Sequence, residues 1–252
     1  MKKYVVALLL SVTAQPALAA SLELFREGRF ADAASAGRAE ATPASLVLAG
    51  RSTLTIASFQ VTDKAKATAM VEAAERDFDA ALAKAPNNLE AALQKATAIG
   101  YRAKLTQSRG LAKETRTRFE AVLAKEPNNG LAWASVAGWH AGSVATLGRF
   151  VAGAVLGAKL DTAIRDFDTA LAKDPKNPVH RVFYAFSLLD LDPANAPKAA
   201  ALLREAGGLP ARDGFEALLK RNTAQVLPLL DRGDVKAAQA QARRLLPFGT
   251  VV

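Results

Sequence analysis

The chain has 252 residues, half of them apolar, and a formal net charge of +9. That is ample apolar material for a globular or repeat core, and the basic balance favours anionic partners without choosing among membrane surfaces, acidic glycans and nucleic acid. Cysteine is absent and histidine occurs twice, at His140 and His180, which excludes disulfides, thiolate catalysis, thiolate metal sites and a cysteine-linked lipid anchor, and leaves no His-rich metal site.

The first nineteen residues read as a secretory signal peptide. Lys2 and Lys3 form a positive start, Tyr4 to Leu10 are almost wholly apolar, and Ala17-Leu18-Ala19 is a small-residue cleavage site. The apolar run is too short to span a bilayer. Losing Lys2 and Lys3 takes the charge from +9 to +7, so the mature chain, expected in the periplasm or outside the cell, stays basic. Residues 20–252 are expected to form one domain, with a weak cap at 21–60, clear repeat units around 63–190 and degenerate hairpins at 193–246.

From residue 21 the apolar spacing is helical almost throughout. Leu22, Leu24 and Phe25 begin a short helix that Gly28 interrupts; Phe30, Ala33 and Ala34 resume it, and Gly37 allows close packing on the same face. Thr42-Pro43 is a cap followed by a first-turn proline. Thr62 or Asp63 caps a long helix that ends before Pro86, because proline lacks the amide hydrogen and biases the residue before it away from helix. A helix follows from Leu89 to about Thr106, then a loop at Ser108-Arg109-Gly110. The next two helices run to Pro127 and from Gly130 to Leu147. Residues 148–158 are an apolar, glycine-bearing insert. Further helices end at Pro175, near Leu191, at Gly207-Gly208, near Leu230 and before Pro247. No convincing period-2 run occurs, so the expected class is all-α.

One stretch recurs. Phe78 leads to Pro86-Asn87-Asn88, Phe119 to Pro127-Asn128-Asn129, and Phe167 to Pro175-Lys176-Asn177. Each copy is the end of one amphipathic helix, a stop and the entry to the next. Helical hairpins repeated in this way bury their apolar faces only against neighbours, which makes a solenoid.

The copies resemble tetratricopeptide repeats. Ala74, Phe78, Ala81 and Pro86 match the second-helix pattern, as do Ala163, Phe167, Ala170 and Pro175; Thr115, Phe119, Val122 and Pro127 match with two substitutions. Trp133, Val136 and Ala137 fit the first-helix pattern. The spacing departs from it: the phenylalanines lie 41 and 48 residues apart, against a usual unit of about 34. The resemblance therefore implies a tetratricopeptide-like α-solenoid of antiparallel hairpins, some lengthened by extra turns. A weaker similarity, through Trp139-His140, Leu147-Gly148-Arg149, Leu156-Gly157-Ala158 and His180-Arg181, is to the helical-repeat domain of the regulator-of-microtubule-dynamics family and its bacterial relatives. It implies no chemistry.

In the tetratricopeptide family the inward face of each first helix carries the ligand contacts. Here that implies Glu90, Gln94, Thr97 and Tyr101, and the family's carboxylate clamp of lysine, arginine and asparagine is missing. The groove is either open to a helix or extended segment or filled by residues 148–158. Gly138 with Gly142, and Gly153 with Gly157, read as close-packing pairs within the chain, or else as part of a membrane-surface helix. The densest basic run includes Arg102, Arg109 and Arg116. It reads as an anion-docking edge or as a solvated convex face. Aromatic residues do not interleave with it, so nucleic acid is not an expected partner. Asp77, Asp79, Asp166 and Asp168 read as surface or helix-pair charges. With no Ser-His-Asp order, H-E-x-x-H, P-loop or G-x-G-x-x-G, an enzyme is not expected, and neither is a metal or cofactor. The expected function is an exported binding or scaffold protein, with a protein or peptide of the cell envelope as partner. The alternative is a ligand- or lipid-binding, transporter-associated module with an apolar cavity between long hairpins.

Overall fold

The three Pro-Asn joints fold alike. Ala85, Glu126 and Asp174, the residues before each proline, share one extended conformation, with φ near −135° and ψ of 81°, 75° and 74°. The turn closes from Asn88 N–H to Ala85 O, Asn129 N–H to Glu126 O, and Asn177 N–H to Asp174 O. Each asparagine side chain then accepts an amide of the next helix, from Ala91, Ala132 and Val179 respectively. The stop removes a helical donor and the cap satisfies an orphan one within a few residues, so the chain reverses in the same way at all three joints.

The computed structural model describes residues 19–252; the signal peptide assignment lies outside the described residues, apart from Ala19. Thirteen α-helices are described: α1 Ala20–Arg26, α2 Phe30–Glu40, α3 Pro43–Phe59, α4 Lys64–Lys84, α5 Leu89–Thr106, α6 Arg109–Lys125, α7 Gly130–Leu147, α8 Arg149–Leu156, α9 Leu160–Lys173, α10 Pro178–Leu191, α11 Ala196–Gly208, α12 Gly214–Asp231 and α13 Val235–Leu245. The chain is an all-α solenoid of antiparallel hairpins. Consecutive helices pack together except across the α8 insertion, where α7 packs mainly on α9.

Two local expectations change. The loop placed at 108–110 is a tighter turn: Gln107 adopts φ +55° and Ser108 caps α6, so Arg109 is already helical. The 148–158 insert is a helix, α8, set between Gly148 at φ +76° and Gly157 at φ +70°. Both values lie in the left-handed region that glycine tolerates best.

The repeat phenylalanines are core. Phe78, Phe119 and Phe167 are buried, and Phe167 stacks on Tyr184 with centroids 4.6 Å apart. The Phe78 ring lies directly against Gly50 of α3, leaving no room for a Cβ there. Gly37 likewise meets Ser45 and Ala49 of α3, as expected. The glycine pair of α7 behaves otherwise. A Cβ on Gly138 or Gly142 would meet nothing within 4 Å, so these glycines do not serve close packing. The apolar stripe of α7 points elsewhere, through Val136, Ala137, Ala141 and Val144.

Asp77 and Asp166 are buried rather than surface charges. Asp77 is held by a two-pronged contact from Arg38, at 2.9 and 2.7 Å, while the same guanidinium donates to Thr53 Oγ1. Asp166 pairs with Arg165 at 2.9 Å, and its pKa is raised because burial outweighs that pairing. Asp79 and Asp168 stay exposed and reach Lys95 and Lys198 on later helices.

The first-helix series α1, α3, α5, α7, α10 and α12 forms an inner row in which each member touches the next, and α12 comes back to α1. The return is close: the backbones of Gly28 and Gly214 are in direct contact, and a Cβ on Gly214 would strike Gly28. Arg51 of α3 sits over the Phe25 ring at 4.7 Å and reaches Asp213 at 3.6 Å. Phe59 of α3 meets Phe215 of α12 with centroids 6.0 Å apart.

Gly50→Ala is expected to lower stability by about 1–3 kcal/mol, since the methyl displaces Phe78. Gly142→Ala is expected to raise it by about 0.5–1 kcal/mol, since it costs no space and restricts the unfolded chain. Chemical denaturation of the two variants checks the packing; equal effects would refute it.

Candidate functional site

The residues expected to form the binding face fall into three places. Glu90, Gln94, Thr97 and Tyr101 share one stripe of α5, as the 3.6-residue period dictates. At its start Glu90 meets Arg51 at 3.5 Å, the arginine that also reaches Asp213 of the last hairpin. Gln94 and Thr97 are half-buried, and the Thr97 hydroxyl is turned back onto Leu93 O. Tyr101 packs edge-to-face on Phe248, with centroids 5.1 Å apart. Burial pushes its phenol pKa up.

The basic residues lie off this stripe. Arg102 is bound to Glu75 of α4 at 2.7 and 3.0 Å and serves the α4–α5 contact. Arg109, the first residue of α6, is exposed. Arg116 pairs with Glu120 at 2.7 Å, lies 5.5 Å from the Trp139 ring centroid and donates to Gly157 O.

The end of the chain covers the α5 stripe at Tyr101, through Phe248, while residues 148–158 pack on α6 and α7. Helix α13 and residues 247–252 run across the C-terminal ends of three inner helices. Gln239 donates to Leu189 O and Arg243 to Asp190 O on α10. Lys104 of α5 donates to Pro247 O at 2.7 Å. Phe248 N–H donates to Ser58 O of α3, and Val252 N–H to Thr62 O, both at 2.9 Å. Leu189, Asp190 and Ser58 belong to the last turns of their helices, where carbonyls lack helical partners; Arg243 also places positive charge against the negative end of α10. Phe248 is buried with Leu54, Val61 and Leu105 nearby in one cluster, and it holds φ at +62°. A non-glycine residue keeps that conformation only where its surroundings impose it.

Sequence reasoning missed this tail. The signal was present: Pro247 stops α13, and Phe248, Val251 and Val252 form an apolar end after a polar helix. An apolar tail of that kind needs a covering surface, but nothing in its spacing names the surface.

The α8 insert lies with α6 and α7. Ala152 is buried beside Val144 and Ala158, against Trp139, Leu147, Leu156 and Leu191. The Trp139 indole N–H donates to Ala112 O of α6 at 2.8 Å.

Both histidines are buried. His140 Nδ1 accepts the Lys159 amide at 3.1 Å, fixing the join between α8 and α9. His180 has no hydrogen-bond partner among the described residues, and its Nε2 lies 3.6 Å from Asp174 Oδ2. Burial lowers both pKa values to about 4, with Arg116 adding to the effect at His140 and Asp174 opposing it at His180. Each is therefore a neutral packing residue at neutral pH. Among the described residues no group of three or more His, Asp or Glu side chains could hold a metal ion.

Two depressions on the surface are open to solvent. One lies along α9, at Asp161, Ile164, Arg165 and Asp168; the other lies at the start of α4, beside Val252. No protein-family model matches the chain, and a search of curated proteins finds no match.

The histidine pKa values predict a pH dependence. Both groups bind protons less readily in the fold than in the unfolded chain, so their contribution is fully present above the ordinary value of 6.5 and is lost as pH falls towards about 4. The melting temperature of His180→Gln is expected to fall less steeply over that range than that of the parent. Parallel curves would refute the burial of a neutral His180.

Proposed function

We propose that this protein is an exported binding scaffold of the cell envelope, and that it takes an extended segment of another protein on the surface that its own tail covers, at the C-terminal ends of α3 and α5. The observation that carries this reading is the way the chain's own tail lies there. An aromatic side chain enters between helices, against Tyr101. Main-chain amides of Phe248 and Val252 donate to Ser58 O and Thr62 O, and Lys104 holds a tail carbonyl. Peptide recognition by grooves uses the same division of labour: main-chain hydrogen bonds supply general affinity, and a side-chain pocket supplies selection. A partner segment of aromatic–aliphatic character would meet the same groups once the tail is displaced.

The leader-like first nineteen residues supply the envelope location in this reading. The helical-hairpin solenoid supports binding over catalysis, because function on a repeat scaffold resides in its exposed and groove-lining residues. The ligand-carrier alternative has less support. It calls for an enclosed apolar cavity, and the depressions described above, on α9 and at the start of α4, are open.

A photo-crosslinking residue in place of Lys104, beside the tail, tests the reading in envelope extracts. A discrete protein adduct is expected, and its yield is expected to rise when the chain is ended after Leu246. An adduct pattern unchanged by that truncation, in a variant that still melts cooperatively, would overturn the tail-covered surface as the binding site.

A further inference from the structure

We infer that the α7–α8 tip is a docking site for an anionic lipid surface. Among the described residues the large apolar side chains left exposed are Phe150, Val151 and the C-terminal Val252, with Phe150 87% exposed. Two of the three are adjacent, on one turn of one short helix. Phe150 lies in the first turn of α8, just beyond the Gly148 bend, at the end of a hairpin built from α7 and α8.

The tip is a firm structure. Ala152 on the opposite side of α8 is wholly buried in the cluster with Val144 and Ala158. The helix ends in paired backbone bonds, Gly157 N–H to Gly153 O at 3.0 Å and Ala158 N–H to Ala152 O at 3.1 Å, the pattern of a left-handed glycine stop. Phe150 and Val151 therefore face water because the helix is fixed by its other side. A phenylalanine held out in this way invites a covering surface.

Charge identifies the surface. Arg149 precedes Phe150, and Lys159 follows the α8 stop; both are exposed. On α6, which packs on α8, Arg109, Lys113 and Arg116 fall at the i, i+4 and i+7 positions of one stripe, and Arg116 reaches Gly157 O. Arg109, Lys113, Arg149 and Lys159 pair with no acid among the described residues. The carboxylates of α6 itself, Glu114 and Glu120, are engaged by Arg118 and Arg116. Asp161, in the first turn of α9, is the acid that follows Lys159 in the chain. Uncompensated cations on α6 and at both ends of α8, which carries an exposed phenylalanine, match the chemistry of phosphate headgroups above acyl chains. One aromatic insertion is weak, and a basic patch is weak; together they form the two-part signal that peripheral attachment needs.

The test uses the mature chain and vesicles of phosphatidylcholine, with and without phosphatidylglycerol. Sedimentation with the mixed vesicles is expected, with little on phosphatidylcholine alone and loss at high salt. Phe150→Ser, and separately Arg109→Gln with Arg149→Gln, are expected to weaken binding roughly tenfold or more. Because the natural chain has no cysteine, Phe150→Cys carries an environment-sensitive dye at the tip alone. Its emission is expected to shift to the blue on mixed vesicles, while the same dye at Lys125→Cys, at the other end of α6, stays unchanged. Equal binding to both vesicle types, binding unaffected by Phe150→Ser, or an unshifted dye at residue 150 would each overturn the inference.

Discussion

The structure depends on the joint between hairpins. A proline that cannot donate, an extended residue before it and an asparagine that caps the next helix repeat at residues 85–88, 126–129 and 174–177. Each joint lets an outer helix hand the chain to an inner one at a similar angle. The buried phenylalanine lies upstream of the stop on the same helix, so the joint also sets how that ring sits against its neighbours, Phe78 on Gly50 of α3 and Phe167 on Tyr184 of α10. Spacings of 41 and 48 residues are tolerated because the added length falls in helices and in the α8 insertion, not in the joints.

Repetition of one joint brings the inner helices round until the last hairpin meets the first. Contact of the Gly28 and Gly214 backbones allows the approach, Phe59 and Phe215 fill it, and Arg51 bridges it to Asp213. The tail then secures the closure at the C-terminal ends of α3, α5 and α10, using carbonyls that the helices leave unpaired. The two surfaces proposed for binding stand differently to this arrangement: the one at the ends of α3 and α5 is covered by the tail, and the α7–α8 tip is left in water.

Much of the fold was legible in the sequence. The 3.6-residue spacing and the Pro-Asn stops placed nearly every helix, including α5 at its observed ends, because these are local effects that tertiary packing reinforces. Less was legible where the decisive partner is remote in sequence. Nothing near Gly138 or Gly142 says that their Cβ positions face open space, and nothing near Gly50 says that Phe78 will lie on it. Asp77 reads equally as a surface or a helix-pair charge, and only the fold selects the second by bringing Arg38 to it from 39 residues away. The candidate site divides in the same way. Glu90, Gln94, Thr97 and Tyr101 share a helix face, which period alone predicts. Arg102 turned out to be spent on Glu75, and Tyr101 to be covered by Phe248, through contacts that only the assembled chain contains.

The central claim is that the solenoid closes, with the last hairpin seated on the first. The chain lacks cysteine, so spin labels at Glu27→Cys and Ala211→Cys report on the two sides of the Gly28–Gly214 contact without interference. Pulsed electron paramagnetic resonance should give a single short, narrow distance in the mature protein. A long or broad distribution, as an open solenoid would give, would contradict the account.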